Sequence, residues 1–458
     1  MKKWLLLLLF ASINAQAALQ PNQVYSKTLQ NGMTVIVKPD TRAPVIVSQV
    51  WYKVGSSYEH GGITGISHAL EHMMFKGTPK FPGDKFSQII AENGGQENAF
   101  TSSDYTVYFQ KIASDRLPIC LHLEADRMQH LALSAKDYSK EIEVVKEERR
   151  MRYDDNPQNL TYERFNAAAH IANPYHHLTI GWMNDLQNMK IEDLRNWYQH
   201  WYTPNNAVLV VVGKVKPDAV FALAEQYFAK IKSRSLPIVK PQREPKTIGV
   251  RNVRVKLPAQ VPIIFIGFNT PSLVTAENKS EAYALELLTG VLDAGNSSRF
   301  ANELIRGQQI ASSASAGYDL YDRFDGLFTL TGIPAKGHSI DELQQALLQQ
   351  IKRLQTTLVD PQELQRIITQ IVAAKVYERD SLSGQAFALG QVVSVGLPWQ
   401  TADDYVRQIN SVTPKQLQQV AIKYLDPDHM TVAILKPLPM QGNAKPQPPS
   451  LPGDPNVH

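Results

Sequence analysis

Two histidines and a glutamate occupy the run His68-Ala69-Leu70-Glu71-His72. Histidines four residues apart on a helix project from one face, so their ring nitrogens converge on a point about one metal bond away. Glu71 stands beside them and reaches a water on that metal. Zinc lowers the pKa of such a water towards neutrality; the glutamate takes the proton during attack on a carbonyl and later delivers it to the leaving amine. His-x-x-Glu-His is the inverted form of the His-Glu-x-x-His metalloprotease signature. A third ligand is still needed, and the acidic stretch from Glu141 to Arg150 offers one. As a helix, that stretch groups Glu143, Lys146, Glu147 and Arg150 into an ordinary solvated face. Glu141, Val144, Val145 and Glu148 share the opposite face, where two carboxylates among apolar groups need compensation. Zinc and its histidines supply it, with Glu148 as third ligand and Glu141, two turns earlier, as acceptor for a ligand histidine N–H. The alternative is that Arg149, Arg152 or another arginine pairs with these acids.

The elements that must hold these residues follow from pattern. Thr64 to Gly77 reads as a helix with Thr64 capping its start, Lys76 suited to the C-terminal dipole and Gly77 to a left-handed cap. Ile66, Leu70, Met73 and Met74 share one side; His68, Glu71, His72 and Phe75 share the other, so no plainly solvated face remains. Upstream, Tyr25–Leu29 and Met33–Val37 flank Asn31-Gly32, a strong hairpin signal, and Val45 to Trp51 alternates as a further strand. A unit of helix (Ile191 to Tyr202), turn (Thr203-Pro204-Asn205-Asn206) and buried strand (Ala207–Val212) recurs 223 residues later. There Thr413–Leu425, Asp426-Pro427-Asp428 and Met430–Leu435 repeat it without a gap, Pro204 matching Pro427. Each half also begins with strands, Val45–Tyr52 and Val261–Phe268. The fold class read from this is α+β: a tandem duplication of two homologous domains, each a mostly antiparallel sheet packed with helices. The boundaries expected are a signal at 1–17, a zinc-bearing domain at 18–235, a linker at 236–249, a homologous domain without a metal site at 250–437, and a Pro-rich disordered tail at 438–458.

Length and composition agree. The 458 residues exceed what one core serves, and 43% hydrophobic with 20% charged residues excludes collagen-like, disordered and disulfide-scaffold classes. The net charge of +4 is small, and the densest basic run, Lys240 to Lys256, reads as a solvated linker and strand edge; no nucleic-acid partner is expected. Lys2-Lys3, the apolar run Trp4 to Ala11 and Ala15-Gln16-Ala17 form an export signal, placing the mature chain in the periplasm or outside the cell without a membrane anchor. The single cysteine, Cys120, lies in an apolar helical pattern and reads as a buried, inert thiol. Trp197 and Trp201 read as core anchors, and His170, His176 and His177 as capping or surface residues.

The sequence resembles the pitrilysin-like (insulinase-type, inverzincin) zinc peptidases, in particular the shorter two-domain branch that includes the mitochondrial processing peptidase. The resemblance spans nearly all of the mature chain. It rests on His68 to Thr78, on Gly94-Gly95-Gln96-Glu97-Asn98-Ala99-Phe100-Thr101, and on Glu141 to Arg150 with Asp155-Asn156-Pro157. Asn173-Pro174-Tyr175, Ile180-Gly181 and the Tyr202 turn add to it. It implies one zinc ion per chain on His68, His72 and Glu148, with Glu71 as base. It also implies that Asn98 and Ala99 lie on an edge strand to which an extended peptide adds, and that each chain forms half of a clam-like chamber. Second halves in this family commonly carry an Arg and, seven residues on, a Tyr that contact substrate; Ile305 and Ser312 stand at those positions here. The resemblance therefore implies a homologous partner subunit bearing that Arg/Tyr clamp, as a heterodimer, or else a homodimer. The leading expectation is an exported zinc metalloendopeptidase acting on short or unfolded polypeptides. The alternative is a non-catalytic assembly or binding subunit that keeps the fold.

Overall fold

The computed structural model describes residues 23–240 and 242–440; the expected signal and most of the expected tail lie outside the described residues. Asn31-Gly32 turns the chain as its chemistry predicts, Gly32 taking a φ of +87° between β1 (Tyr25–Thr28) and β2 (Thr34–Pro39), which pair antiparallel. With β3 (Val45–Tyr52), β4 (Gln96–Thr101), β5 (Thr106–Ala113) and β6 (Ala207–Gly213) they form one sheet in the order β1-β2-β6-β3-β5-β4. The remaining strands are β7 (Arg251–Pro258), β8 (Ile263–Thr270), β9 (Ala311–Gly317), β10 (Gly326–Pro334) and β11 (Thr431–Leu438). They form a second sheet, β7-β11-β8-β10-β9. Without β1, the first order maps strand for strand onto the second. Each sheet is antiparallel except for one parallel pair, β2 with β6 and β7 with β11. Two α+β halves built on one plan are thus present.

The first half carries α1 (Ile66–Met74) and α2 (Lys85–Glu92) between β3 and β4. Between β5 and β6 it carries α3 (Leu117–His130), α4 (Ala135–Arg149), α5 (Pro157–Ala169), α6 (Met183–Asn188) and α7 (Ile191–Trp201); α8 (Pro217–Phe228) follows β6. The second half carries α9 (Lys279–Asp293) between β8 and β9. Between β10 and β11 it carries α10 (Ile340–Thr356), α11 (Pro361–Asp380), α12 (Leu382–Ser394), α13 (Gln400–Asn410) and α14 (Pro414–Tyr424). The repeated helix–turn–strand unit appears as α7 to β6 and α14 to β11, and between the halves residues 232–240 and 242–250 have no regular structure.

Every residue of β6 is buried, so both faces of the first sheet are covered. On one face lies the first half's own core, which takes in Ile66, Leu70, Met73 and Met74 of α1 together with Trp197 and Trp201. The other face is covered by α12 of the second half, through Ala386, Leu389 and Val392 against Val208, Val210 and Val212. Reciprocally, Phe165 of α5 packs against Ile263, Phe265, Ala433 and Leu435 of the second sheet. Each half therefore lends one helix to the back of the other's sheet. Cys120 is fully buried, and burial pushes its thiol up to about 12, in keeping with an inert core residue.

Candidate metal centre

The N-terminus of α1 sets the position of His68. Gly65 adopts a φ of +87°, and a Cβ there would meet the Ile180 carbonyl oxygen at 2.4 Å, so the chain can pass only with glycine at this point. Thr64 does not cap the helix as expected. Its hydroxyl donates to Asp185 Oδ2 (2.6 Å) and accepts from the Trp182 N–H (2.9 Å). The cap comes from Glu59, whose carboxylate accepts from the Gly65 N–H (2.7 Å) and the Ser67 N–H (2.9 Å), placing negative charge at the positive end of the helix dipole. Spacing could not reveal this cap, because Glu59 reaches back from a separate turn.

α1 and α4 pack side by side and bring the three expected donors together. His68 Nε2 and His72 Nε2 lie 3.7 Å and 3.5 Å from Glu148 Oε2. One donor atom from each residue falls within 4.8 Å of the others, the one such group of His, Cys, Asp or Glu among the described residues. A tetrahedral ion with bonds of about 2.0–2.1 Å spaces its ligands roughly 3.4 Å apart, and two imidazoles with one carboxylate are a zinc-type donor set, so the residues fit the ion. Glu141 also lies beside the site. Its Oε2 is 3.5 Å from His72 Nδ1, while Oε1 binds Lys76 Nζ at 2.7 Å. The arginine alternative is realised in part, since Arg152 Nη1 meets Glu148 Oε1 at 3.1 Å, leaving Oε2 for the histidines. Arg149 turns away to Glu163. Val144, expected on the shared apolar face, is half exposed, and Val145 alone supplies the buried apolar contact there.

The local electrostatics separate the two glutamates. Burial pushes Glu71 up to about 7, against the lowering effect of the Thr101 hydroxyl, which donates to its Oε2 at 2.5 Å. Burial also works to raise Glu148, but the His72 hydrogen bond and the charges of His68 and Arg152 outweigh it and hold the carboxyl at about 2. For His72, burial lowers the pKa, yet the neighbouring Glu148, Glu71 and Glu141 raise it overall. The two glutamates are thus pushed in opposite directions, Glu148 down and Glu71 up.

Asn98 and Ala99 lie in β4, which among the described residues pairs only with β5 and forms the edge of the first sheet beside α1. Ala99 is buried towards α1, and Thr101, two residues on and on the same face, reaches Glu71. Two of the histidines expected at caps or on the surface are at caps and buried. His177 is buried and its Nε2 lies 3.2 Å from Glu59 Oε2, so it supports the α1 cap from inside the protein. His170 is also buried, and burial pushes it down to about 4. Both stand at C-caps, His170 of α5 and His177 of the short turn Pro174–His176, and the fold of the loop after α5 decides their burial. In the second half, α9 carries no histidine, and Ser312 donates to the Ile333 carbonyl within its own sheet.

The family description Insulinase (Peptidase family M16) matches residues 34–181, and Peptidase M16 inactive domain matches residues 188–371. The chain belongs to the M16 peptidase family; the first description covers the stretch that carries His68, His72 and Glu148, and the second runs from the last elements of the first half into α11 of the second. It is 33% identical over 440 residues to the zinc protease PqqE of Helicobacter pylori, covering 94% of this chain and 97% of that one. The crystal structure of a protease from Helicobacter pylori superposes with a TM-score of 0.85 at 31% identity, covering 91% of this chain and all of the other. The zinc protease YmxG of Bacillus subtilis is 24% identical over 412 residues, covering 90% and 97%. The periplasmic protease PqqL of Escherichia coli shares the fold (TM-score 0.75, 17% identity); the match covers 92% of this chain but 48% of PqqL. Among the described residues, no helix is long and apolar enough to cross a membrane.

Proposed function

We propose that the chain is an exported zinc metalloendopeptidase that hydrolyses peptide bonds in short or unfolded polypeptides. His68, His72 and Glu148 hold one zinc ion, Glu71 is the general base, and Glu141 orients His72. The observation that carries this reading is the convergence of the three donors beside a buried glutamate whose carboxyl is pushed up to about 7. When bound, zinc supplies Lewis-acid polarisation of the scissile carbonyl and lowers the pKa of water. Thr101 fixes Oε2 of Glu71, so Oε1 is the oxygen free to take a proton from the attacking water and return it to the leaving amine. Glu141, with Oε2 3.5 Å from His72 Nδ1, favours the proton on that nitrogen and so keeps the Nε2 lone pair facing the other donors. An extended substrate adds to the open edge of β4 at Asn98 and Ala99, where main-chain bonds grip any sequence beside Glu71.

Export is supported by the N-terminal signal pattern and by the fold shared with a protease named as periplasmic. A homologous partner supplying the Arg/Tyr clamp, or a second copy of this chain, is supported by Ile305 and Ser312 at the clamp positions and by the half-length match to PqqL. Two variants test the site. Glu71→Gln should retain about one equivalent of zinc and lose turnover of an unstructured reporter peptide by on the order of 10³-fold or more. Glu148→Ala should lose the zinc itself. Undiminished zinc affinity in Glu148→Ala would overturn the ligand assignment, and undiminished turnover in Glu71→Gln would favour a non-catalytic role.

A further inference from the structure

The β4–β5 turn of the first half and the β9–β10 loop of the second meet, and Asp104 lies buried at their contact. Its Oδ2 accepts from the Arg323 backbone N–H (3.0 Å) and from the Tyr175 hydroxyl (2.5 Å). That hydroxyl in turn accepts from the N–H groups of Arg323 (2.9 Å) and Phe324 (3.2 Å). The Arg323 guanidinium lies 3.7 Å from Asp104 Oδ1 and 3.7 Å over the ring of Tyr58. Asp104 Oδ1 accepts from the Ser57 hydroxyl (2.7 Å), and the Ser57 N–H donates to the Ser103 carbonyl (2.8 Å). The short helical turn Ser56–Tyr58 is therefore pinned from both sides. The next residue is Glu59, whose fully buried carboxylate caps α1 at Gly65 and Ser67, with His177 at its back. His68 follows one residue later.

From this continuous path we infer that Arg323 and Asp104 are positioning residues. Through them the second half, in which no cluster of metal donors lies among the described residues, fixes the turn that supplies the α1 cap and so sets the metal-binding histidine His68. The path begins at a contact between halves and ends on the helix of the site, linked by hydrogen bonds, an ion pair, a ring contact and the short covalent run from Ser57 to Glu59. Loss of a link lets the 56–59 turn drift, and with it the carboxylate that orders the first turn of α1. The inference rests on the metal-centre reading for its consequence, although the mechanical link does not.

Hydrogen exchange of the metal-free full chain over residues 60–72 tests it, with zinc affinity by chelator competition as the second readout. Ser57→Ala leaves every bond between the halves in place and removes the one from Asp104 to the turn. It should raise exchange at 60–72 on the order of tenfold and weaken zinc binding by a similar factor, in the range found when groups that orient ligands are removed. Arg323→Ala should raise exchange at 60–72 as well, and combining Ser57→Ala with Asp104→Asn should add little beyond the larger single effect. Exchange at 60–72 left unchanged, loosening confined to the β9–β10 loop, or effects that multiply in the double variant would overturn the inference. A wild-type chain that binds no zinc would refute the metal reading, while the exchange result would still decide the relay.

Discussion

Thr101 is the residue that turns Glu71 from an acid beside two histidines into an oriented one. It donates to Oε2 from the neighbouring strand, so the carboxylate cannot rotate without losing a charge-assisted bond. Hydrogen bonds to charged groups contribute about 1.5–3 kcal/mol, so Thr101→Val should lower kcat by on the order of 10–100-fold. Zinc affinity should stay within about twofold, because Glu71 is outside the donor set; steady-state kinetics and a metal titration of the same preparation check both. A fall in zinc affinity as large as that in kcat would make Thr101 a support of the whole site. The sequence reveals part of this neighbourhood and conceals the rest for a definite reason. His68, His72, Glu148 and Glu141 are related by helical spacing, so their shared faces can be derived locally. Thr101, Glu59 and His177 act through strand register and loop paths, which no local period encodes.

At the scale of elements, α4 must end where Glu148 can face α1, and the residue after Glu148 secures it. Arg149 is buried, with Nη1 donating to Glu163 Oε1 (2.7 Å) and to the Gly181 carbonyl (2.7 Å). It ties the end of α4 to α5 and to the loop that touches the start of α1, and the chain then runs through a π-helical turn, Arg150–Asp154. Removing one member of a buried ion pair leaves the other uncompensated, so Arg149→Met should cost about 3–5 kcal/mol of stability in urea unfolding. Arg149→Met with Glu163→Leu should recover most of that loss. A double variant no better than the single would mean that the Gly181 contact carries the stability. The duplicated helix–turn–strand units were legible in sequence because they repeat with one offset. The exchange of α5 and α12 was not. Periodicity shows that a helix has an apolar face, but not which of two sheets that face covers.

Across the whole molecule, that exchange is written into two large–small pairs with their sizes reversed. Val208 and Thr431, related by the 223-residue repeat, oppose Trp51 and Gly267 in their sheets, so those two residues occupy equivalent places. Trp51 packs against Gly390 of α12, where an added Cβ would approach the indole to 2.0 Å. Gly267 receives Phe165 of α5, where a Cβ would approach the ring to 2.6 Å. The Trp51 ring has little room to yield, since it packs on Tyr105 at 4.9 Å and Phe387 at 5.5 Å, and its N–H donates to Gln49. Gly→Ala inside a helix ordinarily stabilises by about 1 kcal/mol. At Gly390 the overpacking term of about 1–3 kcal/mol should exceed it, so Gly390→Ala is expected to lower the unfolding midpoint. Trp51→Phe in the same chain should restore part of the loss by freeing space at the ring. Gly267→Ala should likewise lower the unfolding midpoint at the other crossing. If the halves fold as one body, both variants will shift a single transition followed by circular dichroism and by tryptophan fluorescence. Two separated transitions in either variant would show that one half persists when its borrowed helix lets go. A Gly390→Ala chain more stable than the parent would refute the contact that joins the two sheets.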